Sequence, residues 1–285
     1  MTSMGSVLIT GGTGSFGQAF ISQLLSQTDI PRICIYSRGE HAQAALRRSL
    51  GDDTRLRWMI GDVRDVDRLR RAMRGVDCVI HAAALKRIET GAYNPDEMVK
   101  TNVLGVMNII EAAVSQDVKR VIGLSSDKAY QPVSAYGQSK ALGESLFLNA
   151  NGMYGRNGPK FAVTRYGNVW AAQGSVVPQW RSILATGVKV VPVTDLDCTR
   201  FFMHMSDAVD VVLRMLYTMK GGELVIPDWL PAYRLGDLVA AFGATPTVTG
   251  LPVWEKKHES MSDKLCSADV RRMTIEELRG HLEDI

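Results

Sequence analysis

Two short stretches of the sequence hold side chains that could transfer protons during a reaction. In the first, Ser125 and Ser126 end an apolar, strand-like run and are followed by Asp127 and Lys128. In the second, Tyr136 and Lys140 lie four residues apart, so they share one face of a predicted helix. A phenol is a poor base at neutral pH because its pKa is about 10, but a nearby ammonium favours the phenolate. We therefore predict a catalytic set of Ser126, Asp127, Lys128, Tyr136 and Lys140.

A glycine-rich turn near the N-terminus could receive a phosphate group. Gly11, Gly14 and Gly17 have GxxGxxG spacing directly after the apolar run 6–10 and before a helical pattern. A pyrophosphate must approach the backbone N–H groups at a helix N-terminus, where a Cβ would block it. The position of this motif between a strand and a helix predicts a dinucleotide-binding loop. Its other predicted contacts are Thr13, Ser15 and Phe16.

The residues that follow the second predicted strand distinguish between two dinucleotides. A site for NAD usually has an Asp or Glu there, which holds the ribose 2′-hydroxyl. This chain has Ser37, Arg38 and Glu40, and a hydroxyl with a guanidinium suits a 2′-phosphate instead. We therefore expect NADP as the cofactor, the alternative being that Arg38 is a solvated loop residue. The positive charge of an oxidised nicotinamide would further favour the phenolate of Tyr136.

Strand and helix patterns alternate through the first half of the chain. The predicted strands are 6–10, 32–36, 56–60, 77–81, 120–124 and 161–165. The predicted helices are 16–25, 41–50, 65–73, a long helix from Asn94-Pro95, and 135–149. This alternation predicts an α/β fold with a doubly wound parallel Rossmann sheet.

The second half is more irregular, because prolines at 178, 192, 227, 231 and 252 divide it into short pieces. We assign 1–166 to an NADP-binding domain and 167–285 to a small C-terminal substrate-binding cap. The two are expected to interleave, with 205–227 returning to the main sheet as a helix and a strand.

The composition excludes several classes of protein. Of the 285 residues, 46% are hydrophobic and 22% are charged, which rules out a chain that is disordered throughout. A net charge of +3 is too small to indicate general binding to nucleic acid. No apolar stretch approaches the roughly 18 residues that span a membrane, and no export signal is visible. The four cysteines form no CxxC pair and the five histidines have no ligand spacing, so we expect a cytoplasmic protein without a metal.

Taken together, these motifs resemble those of the extended short-chain dehydrogenase/reductase family. The matching strings are TGGTGSFG, Asp62-Val63, His81-Ala82-Ala83-Ala84, Thr101-Asn102 and the Ser–Tyr–Lys set. Less common strings, namely IYSRGE, IGDVRD, HAAALK, YNPDEMVKTN, SSDKAYQP, RYGNV, GSVVP and TRFF, are similar to those of the inverting UDP-N-acetylglucosamine 4,6-dehydratases. This resemblance covers the chain from about residue 6 to about residue 226.

The resemblance implies further site residues. For the cofactor it implies Asp62, Val63, Ala82, Ala83, Ala84, Lys86, Asn102, Ser125, Tyr136, Lys140, Tyr166 and Val169. For the substrate it implies Lys86, Asn168, Gln173, Thr199, Arg200 and Glu255. A UDP-sugar substrate and a homo-oligomer are also implied, and no nucleic-acid partner is expected.

The same resemblance implies a course of reaction. Tyr136 would take the proton of the sugar 4-hydroxyl while C4 gives a hydride to NADP⁺, after which Lys128 would remove the C5 proton. Asp127 would protonate the departing 6-hydroxyl, the hydride would return to C6, and C5 would invert if its new proton arrived on the opposite face. Lys128 must then be neutral, so we expect burial or Lys140 to lower its pKa, unless it shares one proton with Asp127. The alternative for this pair is a structural ion pair at the end of a strand.

Three positions depart from the pattern of the resembled family, two of them usually basic, and they leave the substrate open. Gln173 stands where an arginine usually precedes GSVVP, and Pro252 and Trp254 replace an arginine and a glycine near the C-terminus. A diphosphate still needs cations, and the candidates to supply them are Lys256, Lys257, Arg181 and Arg200. The alternative functions are a nucleotide-sugar 5,6-dehydratase, an epimerase of the same family, or a catalytically silent NADP-binding regulator.

Overall fold

The computed structural model describes residues 4–284, and a parallel sheet lies at the centre of this part of the chain. The strands are β1 (Val7–Thr10), β2 (Ile33–Ser37), β3 (Leu56–Ile60), β4 (Cys78–His81), β5 (Arg120–Leu124), β6 (Lys160–Thr164), β7 (Val190–Val193), β8 (Thr199–Phe201), β9 (Leu224–Val225), β10 (Ala232–Arg234), β11 (Thr245–Val248), β12 (Ser260–Ser262) and β13 (Leu265–Cys266). The helices are α1 (Ser15–Gln27), α2 (Glu40–Leu50), α3 (Val66–Met73), α4 (Ile88–Tyr93), α5 (Pro95–Val99), α6 (Gly105–Ser115), α7 (Ala135–Tyr154), α8 (Val176–Ala185), α9 (Met205–Thr218), α10 (Leu235–Phe242) and α11 (Ile275–Glu283).

Seven strands pair in parallel in the order β3-β2-β1-β4-β5-β6-β9. The strand order reverses between β1 and β4, and ligands of such sheets bind at the carboxyl ends of the strands beside this reversal. The predicted doubly wound α/β fold is therefore confirmed. The segment 205–227 forms α9 and then β9, which pairs with β6 at the edge of the sheet.

Helices cover both faces of the sheet, which is why β1 and β4 are apolar and buried along their whole lengths. One face packs against α1 and α9 through side chains that include Phe20, Leu24, Val209 and Val212. The other face packs against α3, α6 and α7 through Leu69, Ile109 and Phe147, among others. A third apolar cluster, around Trp180, Leu238 and Leu278, forms the core of the C-terminal region.

The long helix predicted from Asn94-Pro95 is interrupted. It begins as α5, passes through a π-helical turn at Lys100–Leu104, and continues as α6. The periodicity of its apolar residues did not indicate this turn, and the short helix α4 before it was also not predicted. Turns of this kind are often found at functional sites, and this one places Asn102 behind the loop that follows β4.

Residues 4–284 contain neither a membrane-spanning helix nor a cluster of metal ligands. No helix there is long and apolar enough to cross a membrane. The same residues contain no group of three or more His, Cys, Asp or Glu side chains that could hold a metal ion.

Candidate active site

A cleft of about 770 Å³ runs from the glycine-rich turn, past the carboxyl ends of β1, β4 and β5, to the C-terminal region. Most of the predicted site residues line it. These are Gly11, Thr13, Gly14, Ser15, Phe16, Gly17, Ser37, Arg38, Asp62, Val63, Ala82, Ala83, Ala84, Lys86, Ser125, Ser126, Lys128, Tyr136, Lys140, Tyr166, Asn168, Val169, Gln173, Arg200 and Glu255. Four predicted residues lie outside the lining, namely Glu40, Asn102, Asp127 and Thr199.

The glycine-rich turn forms a cradle that suits a pyrophosphate. Gly11 has a φ of +66°, and a Cβ there would lie 2.8 Å from the backbone nitrogen of Ala83. A Cβ on Gly17 would lie 2.6 Å from the Cα of Gly12, so helix α1 could not pack so closely behind the turn. No side chain caps the N-terminus of α1, and no acidic residue lies in its first turn. The N–H groups of that turn are thus available to an anion in the cleft, and these residues fit a dinucleotide.

Arg38 and Asp62 lie at the end of the cleft beside β2. The side chain of Arg38 is 57% exposed, and its guanidinium is 3.7 Å from the carboxylate of Asp62. Burial would raise the pKa of Asp62, but the hydrogen bonds and charge of Arg64 lower it overall. The hydroxyl of Ser37 accepts a hydrogen bond of 3.0 Å from Gln43. Glu40, by contrast, is exposed at the start of α2 and does not line the cleft.

Asn102 braces the cleft wall from behind. Its carboxamide oxygen accepts from the backbone nitrogen of Leu85 at 2.9 Å, and its nitrogen donates to the carbonyl oxygen of Leu85 at 2.8 Å. The same nitrogen donates to the hydroxyl of Ser139 at 3.0 Å. The side chain thus links the loop after β4 to helix α7, which carries Tyr136 and Lys140.

Replacing Asn102 with alanine is expected to lower the free energy of unfolding by about 2 kcal/mol, because two half-buried backbone groups of Leu85 lose their partners. Urea denaturation followed by circular dichroism measures the change. Asn108→Ala is the matched control, since its half-buried side chain makes one hydrogen bond, to the carbonyl of Val63 at 3.0 Å. Equal losses in the two variants would contradict the bracing role.

Helix α7 and the end of β5 bring the catalytic candidates together. The hydroxyl of Ser134 caps α7 by accepting from Gly137 at 3.1 Å, which places Tyr136 in the first turn. One turn later, the ammonium of Lys140 donates to the carbonyl oxygen of Leu124 in β5 at 2.5 Å. Burial lowers the pKa of Lys140 to about 8, even though Glu144 acts in the opposite direction.

The surroundings of Tyr136 favour its phenol form, whereas the sequence predicted surroundings that favour the phenolate. Burial raises its pKa, and the opposing contributions come from the Lys128 ammonium and from a hydrogen bond with Ser126. Helical spacing in the sequence indicates Lys140 for this electrostatic role instead. The difference arises because the end of β5 carries Lys128 towards Tyr136, a placement that helical spacing alone does not reveal.

Asp127 forms an ion pair with Lys128, whose side chain is half-buried at the cleft wall. Asp127 is fully buried, and its Oδ1 accepts from the hydroxyl of Ser126 at 2.9 Å and from Nζ of Lys128 at 3.1 Å. Its other oxygen, Oδ2, has no hydrogen-bond partner among residues 4–284. The backbone nitrogen of Asp127 donates to the carbonyl of Tyr166 at 3.0 Å, which fixes the 3₁₀ turn Asp127–Ala129.

The predicted lowering of the pKa of Lys128 is wrong. Burial alone would lower it, but the negative charges of Asp127 and Glu259 outweigh burial and raise the pKa above its ordinary value. Nζ of Lys128 lies 3.4 Å from Oε1 of Glu259 and 3.4 Å from Oδ1 of Asn168. Lys128 is therefore an ammonium in the resting structure, held between two carboxylates.

Glu259 also belongs to this site and was not predicted from the sequence. Only 1% of its side chain is exposed, and it pairs with Lys256 at 2.8 Å as well as with Lys128. The signal for it in the sequence is the charged run 255–259, from which only Glu255 and the cations Lys256 and Lys257 were predicted.

The C-terminal region contributes Arg200 and Glu255 to the cleft, where their charged groups form an ion pair. Thr199 faces away from the cleft, because its hydroxyl bonds with His258 at 2.8 Å and Ser267 at 2.6 Å. The backbone nitrogen of Gln173 donates to the hydroxyl of Ser15 at 3.1 Å and so joins this region to the glycine-rich turn.

The four candidate cations for a diphosphate have different surroundings. Lys256 pairs with Glu259, Lys257 pairs with Asp195 at 3.2 Å, and Arg181 donates to the carbonyl of Leu282. None of these three lines the cleft. Arg200 does line it, so it is the one of the four that can face a bound anion directly.

Comparison with known proteins gives consistent matches along most of the chain. Residues 7–273 match a family described as polysaccharide biosynthesis protein. The chain is 42% identical over 272 residues to the UDP-N-acetylglucosamine 4,6-dehydratase (inverting) of Campylobacter jejuni, which covers 95% of this chain and 80% of that relative. It is also 40% identical over 274 residues to a Rickettsia akari protein named UDP-glucose 4-epimerase, covering 92% of this chain and 80% of the relative.

Two solved structures share the fold closely. Pen from Bacillus thuringiensis superposes with a TM-score of 0.93 at 30% identity, over 99% of both chains. The dTDP-glucose 4,6-dehydratase DesIV from Streptomyces venezuelae, solved with NAD and TYD bound, has a TM-score of 0.85 at 22% identity. That alignment covers 98% of this chain and 96% of DesIV, and at this identity it bears on the fold alone.

Proposed function

The chain belongs to the polysaccharide biosynthesis protein family, and from that premise we propose that it is a nucleotide-sugar 4,6-dehydratase. The observation that carries the proposal is the ion pair of buried Asp127 and half-buried Lys128 beside Tyr136. Oxidation at C4 alone needs only one group that accepts the hydroxyl proton. Elimination of water across C5 and C6 needs a further base and a further acid, and this pair supplies both.

The proposed cofactor is NADP. The glycine-rich turn would hold its pyrophosphate, and Ser37 and Arg38 would hold its 2′-phosphate at the rim of the cleft. When bound, it would supply the hydride chemistry that oxidises C4 and later reduces C6. The remaining steps are proton transfers, which side chains of the protein would carry out.

Tyr136 is proposed to act as a phenolate, the form that the neighbouring Lys128 ammonium favours, and to accept the proton of the sugar 4-hydroxyl. The resulting ketone acidifies the proton on C5. Lys128 must become a free amine before it can remove that proton. Transfer of a proton from its Nζ to Oδ1 of Asp127, across 3.1 Å, produces a neutral base and a protonated acid together.

Asp127 lies behind the cleft wall and needs a route to the departing 6-hydroxyl. The hydroxyl of Ser126 lines the cleft and is 2.9 Å from Oδ1 of Asp127, so we propose it as that route. Ser126 would pass one proton to the leaving oxygen and receive one from Asp127. A proton that then reached C5 on the opposite face would invert that centre.

We propose UDP-N-acetylglucosamine as the substrate, because a relative with that activity in its name is 42% identical to the chain. The second candidate function is 4-epimerisation, which is favoured by the relatives named UDP-glucose 4-epimerase. The two reactions differ in mass balance, because an epimerase keeps every atom of its substrate.

Mass spectrometry of sugar nucleotides incubated with the purified protein separates the candidates. Loss of one water from UDP-N-acetylglucosamine is expected, and UDP-glucose and dTDP-glucose serve as comparison substrates. An isomer of unchanged mass, seen by NMR, would identify an epimerase. If NADP binds but every sugar nucleotide survives intact, the protein is a silent regulator instead.

Removal of the Arg38 guanidinium tests the choice of cofactor. Arg38→Ala is expected to weaken NADPH binding by about 10- to 100-fold and to leave NADH binding unchanged, because only the 2′-phosphate loses a charge-assisted hydrogen bond. Calorimetric titration measures both affinities. Arg48→Ala, in the exposed part of helix α2, is the control. Equal losses for the two nucleotides would contradict NADP selectivity.

We also propose that the protein is a homo-oligomer. Large apolar side chains are exposed on neighbouring helices, namely Val99, Leu104, Met107 and Leu142, each between 45% and 50% exposed. Such residues commonly pack against a second copy in an assembled protein. Light scattering after size-exclusion chromatography gives the mass of the particle, and a monomer would contradict the proposal.

A further inference from the structure

A segment of the C-terminal region packs directly behind the catalytic turn. Within it, the ammonium of Lys256 donates to the carbonyl oxygen of Tyr130 at 3.0 Å. The same ammonium lies 2.8 Å from Oε2 of Glu259, whose Oε1 is 3.4 Å from Nζ of Lys128. The order of charges is therefore Asp127, Lys128, Glu259 and Lys256, which alternate in sign.

Glu259 is an ionised group in a buried place. Its side chain is 1% exposed, and it does not line the cleft. Burial would raise its pKa, but the charges of Lys128, Arg200 and Lys256 lower it to about 2. A buried carboxylate is unfavourable unless cations and hydrogen bonds compensate it, and Lys128 is one of the two lysines that do so here.

The charges around Lys128 come from several elements of the structure. Asp127 and Glu259 stabilise its ammonium, and the oxygen of Asn168 accepts from it. Arg200 in β8 acts in the opposite direction, and the phenol of Tyr136 in α7 acts in the same direction as the carboxylates. Among these groups, Glu259 alone is neither a proposed proton carrier nor part of the cleft lining.

We propose that Glu259 is a positioning residue for Lys128. The Glu259 carboxylate holds the lysine at the cleft wall and sets the fraction of Lys128 that is present as a free amine. The inference deepens the proposed function and rests on it, since Lys128 is the base there. It assigns to the C-terminal region a part in catalysis besides substrate binding. Lys256 acts against Glu259 in this arrangement, because its own charge partly neutralises the carboxylate.

The reactivity of Lys128 towards acetic anhydride tests the proposal without substrate or cofactor, because only the free amine is acylated. Lys128 lines the cleft with 19% of its side chain exposed, and tryptic mass spectrometry measures its acylation rate. Loss of a negative charge at this distance lowers the pKa of an ammonium by about one unit or more. In Glu259→Gln, Lys128 is therefore expected to react at least about threefold faster at a fixed pH.

A second variant is expected to change the acylation rate of Lys128 in the opposite direction. Lys256→Gln leaves the Glu259 charge less compensated, so the acylation of Lys128 is expected to slow. Glu259→Asp keeps the charge and should restore a rate close to that of the natural protein. Asp263→Asn is the matched control, because this exposed carboxylate lies in the same segment and bonds to Tyr130 rather than to Lys128.

The outcomes separate an electrostatic role from a structural one. Opposite changes in Glu259→Gln and Lys256→Gln, with no change in Asp263→Asn, support the proposal. Changes in the same direction in both variants would mean that loosened packing exposes Lys128, and they would overturn it, as would an unchanged rate in Glu259→Gln. Failure of the proposed function is seen separately, as absence of any dehydrated sugar nucleotide from the natural protein.

Where turnover is measurable, the pH profile of kcat/KM gives a second readout. The active Asp127–Lys128 pair holds one proton, which moves from Lys128 to Asp127 and on to the leaving oxygen, so activity falls once a rising pH removes that proton from Lys128. In Glu259→Gln this fall is expected at a pH lower by about one unit or more. A fall at an unchanged pH would overturn the proposal.

Discussion

Replacing Tyr136 with phenylalanine is expected to lower kcat for the nucleotide sugar by about 10²- to 10⁴-fold, the usual range for loss of a positioned acid–base group. Once deprotonated, Tyr136 is the side chain at the start of α7 that can accept the 4-hydroxyl proton, and phenylalanine keeps its ring and its packing. Every later step depends on the C4 ketone. The variant should therefore accumulate neither reduced cofactor nor dehydrated product.

The assay for Tyr136→Phe combines the near-ultraviolet absorbance of the cofactor with mass spectrometry of the sugar nucleotide. Tyr154→Phe, at the other end of the same helix, is the matched control and should keep full activity. Retention of more than about a tenth of the natural kcat in Tyr136→Phe would exclude the phenol as the base for C4 oxidation.

The second large effect is expected at Lys128. Lys128→Met should reduce water loss by about 10²- to 10⁴-fold and still permit oxidation at C4, because Tyr136 remains in place. Mixing this variant with substrate should consequently give a rise in reduced cofactor without dehydrated product. Asp127→Asn is expected to behave in the same way, since the two residues exchange one proton across 3.1 Å.

Lys119→Met, at the opposite end of β5 and exposed, is the control for the loss of a positive charge. Dehydration by Lys128→Met at close to the natural rate would remove the buried pair from the mechanism. The pair would then be a structural ion pair at the end of a strand.

The fold and the glycine-rich turn were predictable from the sequence because both depend on local patterns. Buried parallel strands are continuous apolar runs, and helix periodicity is visible over a few turns. The observed β5, Arg120–Leu124, and β3, Leu56–Ile60, have the predicted limits. The resemblance to the extended dehydrogenase/reductase family is likewise confirmed by the family match and by the 42% identity.

The electrostatics of the site could not be predicted in the same way. The charge state of Lys128 depends on Glu259, which lies far along the chain, within the C-terminal region. The use of Asn102 as a brace depends on the π-helical turn that orients it. In each case the decisive neighbour is distant in sequence, and spacing contains no information about it.

The most direct test of a 4,6-dehydratase is the reaction of UDP-N-acetylglucosamine in D₂O with the purified protein and no added cofactor. The account predicts a product that has lost one water and gained one deuterium at C5, because the proton removed there is replaced from solvent. Substrate that keeps its mass and its C5 hydrogen after NADP⁺ is also supplied would contradict the account.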